Sequence, residues 1–308
     1  MRRKEFKITG KRDFDVVAEN FTSTAEVIAV TRTRPPCDES WKNRRDYLNE
    51  TWDNGQEPPG HGWEGFSGKE EFEELIHLGV RDTSMLKDVR KYSAKATVKE
   101  KDKLAVQCRD VVGGGVDVPT FLTGNPQCMY ALKRKKVKSK IIEIGIECGL
   151  TCDYSVNQYK KAGMALTKVV AKLEKAGYRV ALISMSAFLD ERNDRICMMT
   201  NIIKRENAPM NYSRIMFPLT SIGYFRGLGF GWIVRLPEYK GYSGLGPHIS
   251  SCFRIGEENE GIENMFRTAI GHDNFIAVSM KQMVRICDRE GQEKLEKYIE
   301  SKVMDVVG

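Results

Sequence analysis

Apolar and polar positions alternate most legibly between Lys140 and Leu189, KIIEIGIECGLTCDYSVNQYKKAGMALTKVVAKLEKAGYRVALISMSAFL. Ile141 to Ile146 is an apolar, β-branched run too short for a helix, and polar loop residues follow it. Met164, Leu166, Val169, Val170 and Leu173 then recur at spacings of three and four, which is the period of one helix face. Gly177 stands where a helix C-terminal cap is wanted, and Tyr178 to Met185 is a second β-branched run. Strand, helix and strand joined this closely predict a right-handed βαβ crossover with parallel strands.

The pattern continues downstream. Ile196 to Ile203 predicts another strand, and Asn211 to Phe217 opens a helical or mixed region that runs to Arg235. Gly241 to Ser251 reads as loop and Asn274 to Ser279 as a late strand. Gln292 to Val307 predicts a terminal amphipathic helix with Leu295, Tyr298, Ile299 and Val303 on one side. Strands alternating with helices predict a three-layer α/β domain over 138–308, with a parallel-rich central sheet covered on both faces.

Upstream the pattern is weaker. Residues 1 to about 20 are polar and basic and are expected to be ragged. Ser23-Thr24-Ala25-Glu26 has capping-box spacing and predicts a short helix through Val30. The stretch 31–62 is rich in Pro, Asn, Asp and Gly, so 1–62 reads as an irregular N-terminal arm. Its Trp41 and Trp52 either pin the arm to the body or offer a partner-binding surface. In Ser67-Gly68-Lys69-Glu70 the capping-box spacing recurs, followed by Phe72, Leu75, Ile76 and Leu78 on one face and by Gly79 as a stop. A further helix is expected over 82–92. Alternation between Ala94 and Asp110, with 101–103 as turn, predicts a hairpin, and Cys128 to Val137 is again extended. Residues 63–137 thus read as a helix-plus-hairpin region packed on the main domain.

Composition sets outer limits. Hydrophobic residues make up 41% of the 308 and charged residues 30%, as in soluble globular proteins. No apolar run approaches the roughly 20 residues that span a bilayer, and no secretory pattern follows the basic start, so no membrane role is expected. The eight cysteines include no Cys-x-x-Cys pair and several lie in apolar segments, which points to a reducing compartment. A net charge of +7 permits nucleic-acid contact without requiring it.

A combination of segments carries a family resemblance. It comprises Trp63-Glu64-Gly65-Phe66-Ser67 with the helix ending at Gly79, Gly115-Val116-Asp117-Val118-Pro119, Leu122 to Met129, and Ala162 to Val180. These resemble a von Willebrand factor A-type domain of the cobaltochelatase-like kind, and more closely a family of bacteriophage-encoded proteins, over roughly 60–308. The resemblance implies a von Willebrand A-like α/β fold and phage origin. It therefore implies the cytoplasm of a bacterial host, or the virion, as location. It implies no activity.

A metal-binding A-type domain places Asp-x-Ser-x-Ser after its first strand, where hard oxygen ligands suit Mg²⁺. Here that place reads Glu147-x-Gly149-x-Thr151, with the acid lengthened and the first hydroxyl missing. A second register, Asp153-x-Ser155-x-Asn157, lies further on, where Asp153 or Ser155 is more simply a helix N-cap. Glu147, Thr151 and Asp153 are weak metal candidates, and neither Mg²⁺ nor any other cofactor is expected. The loop follows a parallel strand, at the edge where open α/β sheets bind ligands. Glu147, Gly149, Thr151, Asp153, Ser155 and Asn157 are accordingly read as a rim for a protein partner from host or phage.

Other motifs add little. Gly227-Leu228-Gly229-Phe230-Gly231-Trp232 fails dinucleotide spacing and reads as close packing or a turn, and the four histidines show no ligand spacing. No catalytic residue stands out, and Glu257 to Glu260 reads as a solvated loop. The basic run Lys133, Arg134, Lys135, Lys136, Lys138 and Lys140 is either an exposed hairpin or a phosphate-contacting ridge. Tyr130 is its lone nearby aromatic for base stacking. The expected function is a non-enzymatic protein-interaction module, with nucleic-acid binding through the basic run as the alternative.

Overall fold

A computed structural model describes residues 1–34, 69–95, 105–111, 115–134, 141–149, 154–190, 193–239, 252–254, 257–271 and 275–307. In chain order the strands are β1 (Arg2–Thr9), β2 (Asp13–Phe21), β3 (Ala105–Asp110), β4 (Gly115–Val116), β5 (Met129–Arg134), β6 (Ile141–Glu147), β7 (Arg179–Asp190), β8 (Arg195–Lys204) and β9 (Phe275–Ser279). The helices are α1 (Thr24–Thr33), α2 (Lys69–Leu78), α3 (Thr83–Lys95), α4 (Val118–Leu122), α5 (Val156–Lys175), α6 (Tyr212–Thr220), α7 (Phe230–Ile233), α8 (Glu258–Ile270), α9 (Met280–Glu290) and α10 (Gln292–Val307), with a π-helical turn at Tyr224–Gly229. The chain forms two compact units, residues 1–96 with 141–308, and residues 97–140.

The first unit is α/β, built on a six-stranded sheet in the order β1-β2-β8-β7-β6-β9. The expected pairing holds: β6 runs parallel to β7, with Ile141 opposite Arg179, and also parallel to β9, with Glu143 opposite Phe275. β2 and β8 are parallel as well. β7 and β8 are antiparallel, joined by a short connection in which Asp194 takes a left-handed φ of 46° and Asn193 Nδ2 donates to Asp190 Oδ2.

Side chains alternate across the sheet. Ile142, Ile144, Ile146, Val180 and Leu182 face one core, with buried residues of α1 to α3, α5 to α7, α9 and α10. Ile183, Met185, Ala187, Leu189, Phe275 and Ala277 face another, covered by Ile262, Met265, Phe266 and Ala269 of α8. α5 is the central helix. Ser155 and Gln158 form its capping box, and Gly177, at φ +87°, lets the chain turn into β7. An added Cβ on Gly163 would lie 1.6 Å from the Leu219 carbonyl oxygen, so that glycine sets how closely α5 and α6 approach.

Three expectations need correction. Residues 2–21 are not ragged. They form the β1–β2 hairpin at the sheet edge, with Phe14, Val16, Val17, Ala18 and Phe21 buried while Arg2, Arg3, Glu5 and Lys7 of β1 are exposed. Helices α2 and α3 belong to the main unit rather than to a separate 63–137 region. The acidic run at 257–260 opens α8 instead of forming a loop, with Glu258 and Glu260 in a first turn where negative charge is favoured. Trp41, Trp52 and Trp63 lie outside the described residues.

The second unit is a three-stranded sheet in the order β3-β5-β4. β5 pairs antiparallel with β3, Arg134 opposite Ala105, and with β4, Tyr130 opposite Gly115. The hairpin expected over 94–110 falls partly on residues 96–104, outside the described set, and the described partner of β3 is β5.

Candidate functional site

The carboxyl end of β6 delivers Glu147 in register with Ser279, the last residue of β9. Glu147 is fully buried. Its Oε1 accepts from the Gly149 backbone N–H at 2.8 Å and its Oε2 from the Ser279 hydroxyl at 3.0 Å. The carboxylate thus ties the base of the loop to β9 rather than standing on a rim. Ser155 accepts from the Gln158 N–H at 3.3 Å while Gln158 Oε1 accepts from the Ser155 N–H at 2.8 Å, which consumes the hydroxyl as a cap. Asn157 is exposed on the first turn of α5, and Thr151 and Asp153 lie outside the described residues. Of the described members of the two registers, Glu147 and Ser155 thus use these oxygens in hydrogen bonds within the protein. Among the described residues no group of three or more His, Cys, Asp or Glu side chains is placed to hold a metal ion.

Beside Glu147, burial and then the neighbouring carboxylate push the Cys148 thiol up to about 12, which favours its protonated form. Tyr159, itself raised chiefly by burial, donates to the Pro218 carbonyl oxygen at 3.1 Å, clamping α5 to α6.

The basic run is only partly described. Lys133 and Arg134 end β5, opposite Val106 and Ala105, and Lys135, Lys136, Lys138 and Lys140 lie outside the described residues. The unit that carries them, 97–140, holds ten Lys and Arg against four Asp and Glu, in a chain whose total surplus is seven. Almost the whole positive excess therefore sits in this unit. The glycine cluster at 227–231 is a packing feature. An added Cβ on Gly227 would meet the Phe72 ring at 2.3 Å.

One site has no counterpart in the sequence reading. A pocket of about 320 Å³ opens between α2–α3, the first turns of α5 and the end of α6. Leu75, Val80, Met85 and Val156 line it, together with Thr220 and Ser221. Two ion pairs flank it, Arg81–Glu74 and Lys160–Asp82, each at 2.6 Å. Lys160, and then the Ser84 hydroxyl, hold the Asp82 carboxyl well below the usual carboxylate range. Asp82 also caps α3 through the Ser84 and Met85 N–H groups. Ser221 is 7% exposed, and its hydroxyl oxygen is buried with no hydrogen-bond partner. The helix with Leu75, the Gly79 stop and the helix over 82–92 are legible in the sequence, but their meeting with Ser221 is not, because the pocket joins segments up to 150 residues apart.

The model of a family described as Domain of unknown function (DUF7192) matches residues 5–290. The chain belongs to the DUF7192 family. No curated protein and no solved structure matches it. The DUF7192 match spans both units, the Glu147 tie and the pocket, and it stops at the end of α9.

Proposed function

We propose that this chain is a non-enzymatic protein-interaction module built on a von Willebrand A-like domain with a degenerate cation site, encoded by a bacteriophage and acting in the host cytoplasm or the virion. The observation that carries this reading is Glu147, the residue at the metal-ligand position, spent on Gly149 N–H and Ser279 Oγ. The sheet supports it: in the order β8-β7-β6-β9, β6 is parallel to both neighbours, and the loop after it leaves the edge where open α/β sheets bind ligands. No helix among the described residues is long and apolar enough to cross a membrane. The test is capture of a stoichiometric protein partner from host lysate, lost with Asn157→Arg on the exposed first turn of α5. Turnover of a substrate abolished by a change in a clustered polar pocket would overturn it.

The charge surplus of 97–140 favours a second reading, nucleic-acid binding by that unit. Each phosphate contact contributes about −0.9 to the log–log salt slope on duplex DNA. Replacing Lys133, Arg134, Lys135 and Lys136 by Ser should flatten that slope and weaken binding equally for all sequences. Binding that ignores both salt and the fourfold change would remove this reading.

A further inference from the structure

We infer that Tyr130, in the central strand of the small unit, is a stacking platform for one base of a single-stranded nucleic acid whose phosphates follow β5 towards the basic run. This deepens the nucleic-acid reading of the unit 97–140 and rests on it. β5 lies between β3 and β4, and Tyr130 stands opposite Arg109 on one side and Gly115 on the other. An added Cβ on Gly115 would lie 2.9 Å from Tyr130 Cζ, 3.0 Å from Cε2 and 3.1 Å from the hydroxyl oxygen. Directly opposed residues have Cα atoms about 4.5–5.5 Å apart, so only a ring that leans across β4 comes this close. Any larger residue at 115 would lift it. Tyr130 is also partly exposed. An aromatic ring laid along a sheet and reachable from solvent is what an unpaired base stacks on.

Charge selects an anionic occupant and sets its path. The unit carries ten Lys and Arg against four Asp and Glu. Residues 110–132 include no Lys or Arg, only Asp110 and Asp117, whereas Lys133 and Arg134 end β5 and four more lysines follow by residue 140. Arg134 is an even step along the strand from Tyr130, so the two positions share a face, about 13 Å apart. Tyr130 is thus the aromatic at the border of the basic run. Phe121 of α4 is 60% exposed but belongs to the acidic span, which disfavours a polyanion there. A duplex does not fit this site, because its bases are already stacked on one another and offer the ring only their edges.

The test uses the intact chain with fluorescein-labelled oligodeoxyuridylate, oligouridylate and a mixed-sequence DNA duplex, each of about twelve nucleotides, within the site sizes of small single-strand binders. Anisotropy is followed across a salt series, and single strands carrying one 5-iodouracil are photo-crosslinked and mapped by mass spectrometry. We expect both single strands to bind more tightly than the duplex at low salt, with a log–log slope of about −0.7 per phosphate contact. The crosslink should map to Tyr130. Tyr130→Leu should weaken single-strand binding about fivefold to a hundredfold while the salt slope is kept, because stacking is lost and no phosphate contact is. Tyr130→Phe should keep most of the affinity. Tighter oligouridylate binding names RNA as the ligand and tighter oligodeoxyuridylate DNA, since the two differ only in the 2′-hydroxyl, and either supports the platform. A crosslink at Phe121 in place of Tyr130, duplex binding as tight as single-strand binding, or full affinity in Tyr130→Leu would each overturn the inference. If Tyr130→Leu fails to fold, the crosslink in the unaltered chain decides. Equal binding of all three nucleic acids, with the slope still flattened by the fourfold change to Ser, strikes the platform and leaves the nucleic-acid reading standing. Absence of any binding strikes both.

Discussion

Replacing Glu147 by Ala tests whether that carboxylate is a structural acceptor or a ligand waiting for a cation. The side chain is fully buried and accepts from Gly149 N–H and Ser279 Oγ. Truncation strands both donors at roughly 1–3 kcal/mol each and leaves a void, while it relieves the cost of keeping a carboxylate out of water. A net loss of about 3 kcal/mol follows. Glu147→Gln keeps an acceptor for Gly149, and Ser279 can rotate to accept from the new amide, so its loss should stay within about 1.5 kcal/mol. Equilibrium unfolding in urea, followed by circular dichroism with and without Mg²⁺, reads both quantities. A cation bound by the native state alone at 100 times its dissociation constant would add about 2.7 kcal/mol. Equal tolerance of Ala and Gln, or a Mg²⁺-dependent rise in wild type that Glu147→Ala abolishes, would refute the structural role.

Lys204, whose side chain is 1% exposed, donates to Glu174 Oε1, the Val180 carbonyl and the Arg205 carbonyl, so Lys204→Ala should cost about 3 kcal/mol in urea unfolding and Lys204→Met clearly less. Asp82 has a depressed carboxyl pKa, caused first by Lys160. Its contribution is therefore present above the ordinary carboxylate value of about 3.9 and lost as pH falls below it. Asp82→Asn should flatten the acid limb of the stability curve below about pH 4, and an unchanged limb would count against the pair. Gly163→Ala places a methyl 1.6 Å from the Leu219 carbonyl oxygen, so it should cost at least about 3 kcal/mol or prevent soluble expression.

The β6–α5–β7 unit was legible because its three segments carry different periods and Gly177 marks the joint. The direction of β8 was not. The apolar runs at 178–185 and 196–203 leave ten residues between them, whereas the strands themselves run to Asp190 and from Arg195, too close for anything but an antiparallel return. The β1–β2 hairpin was missed because an edge strand with one wet face reads as a polar tail. Arg2, Arg3, Lys4, Glu5 and Lys7 hide the inward Phe6 and Ile8. Of the rim residues, Glu147 looked like a ligand because Ser279, which satisfies it, lies 132 residues away. The pocket needed Ser221 beside Val156 and Met85, a meeting that no local pattern announces.

Why the pocket has the walls it has can itself be tested, at a residue that does not line it. Phe72 is fully buried on α2, the helix that brings Glu71, Glu74 and Leu75 to the pocket, and its ring lies on Gly227 in the π-helical turn and edge-on to Phe217, with centroids 6.4 Å apart. At the other end of α2, Ser213 Oγ contacts the Leu78 and Val80 carbonyl oxygens, and the Val80 N–H donates to Ser213 O. The wall is therefore hung between a ring on a glycine and a serine clasp. Gly227→Ala puts a methyl 2.3 Å from Phe72 Cε2 and Cζ, so the ring must leave and α2 must swing about the clasp. We expect a loss of about 1–3 kcal/mol and a shifted Met85 methyl resonance, although no pocket residue has changed. Phe72→Leu in the same chain makes room for the methyl and should reverse much of both effects, and a double-mutant cycle in stability measures the coupling directly. Additive effects of the two changes would show that the ring on Gly227 does not hold the wall.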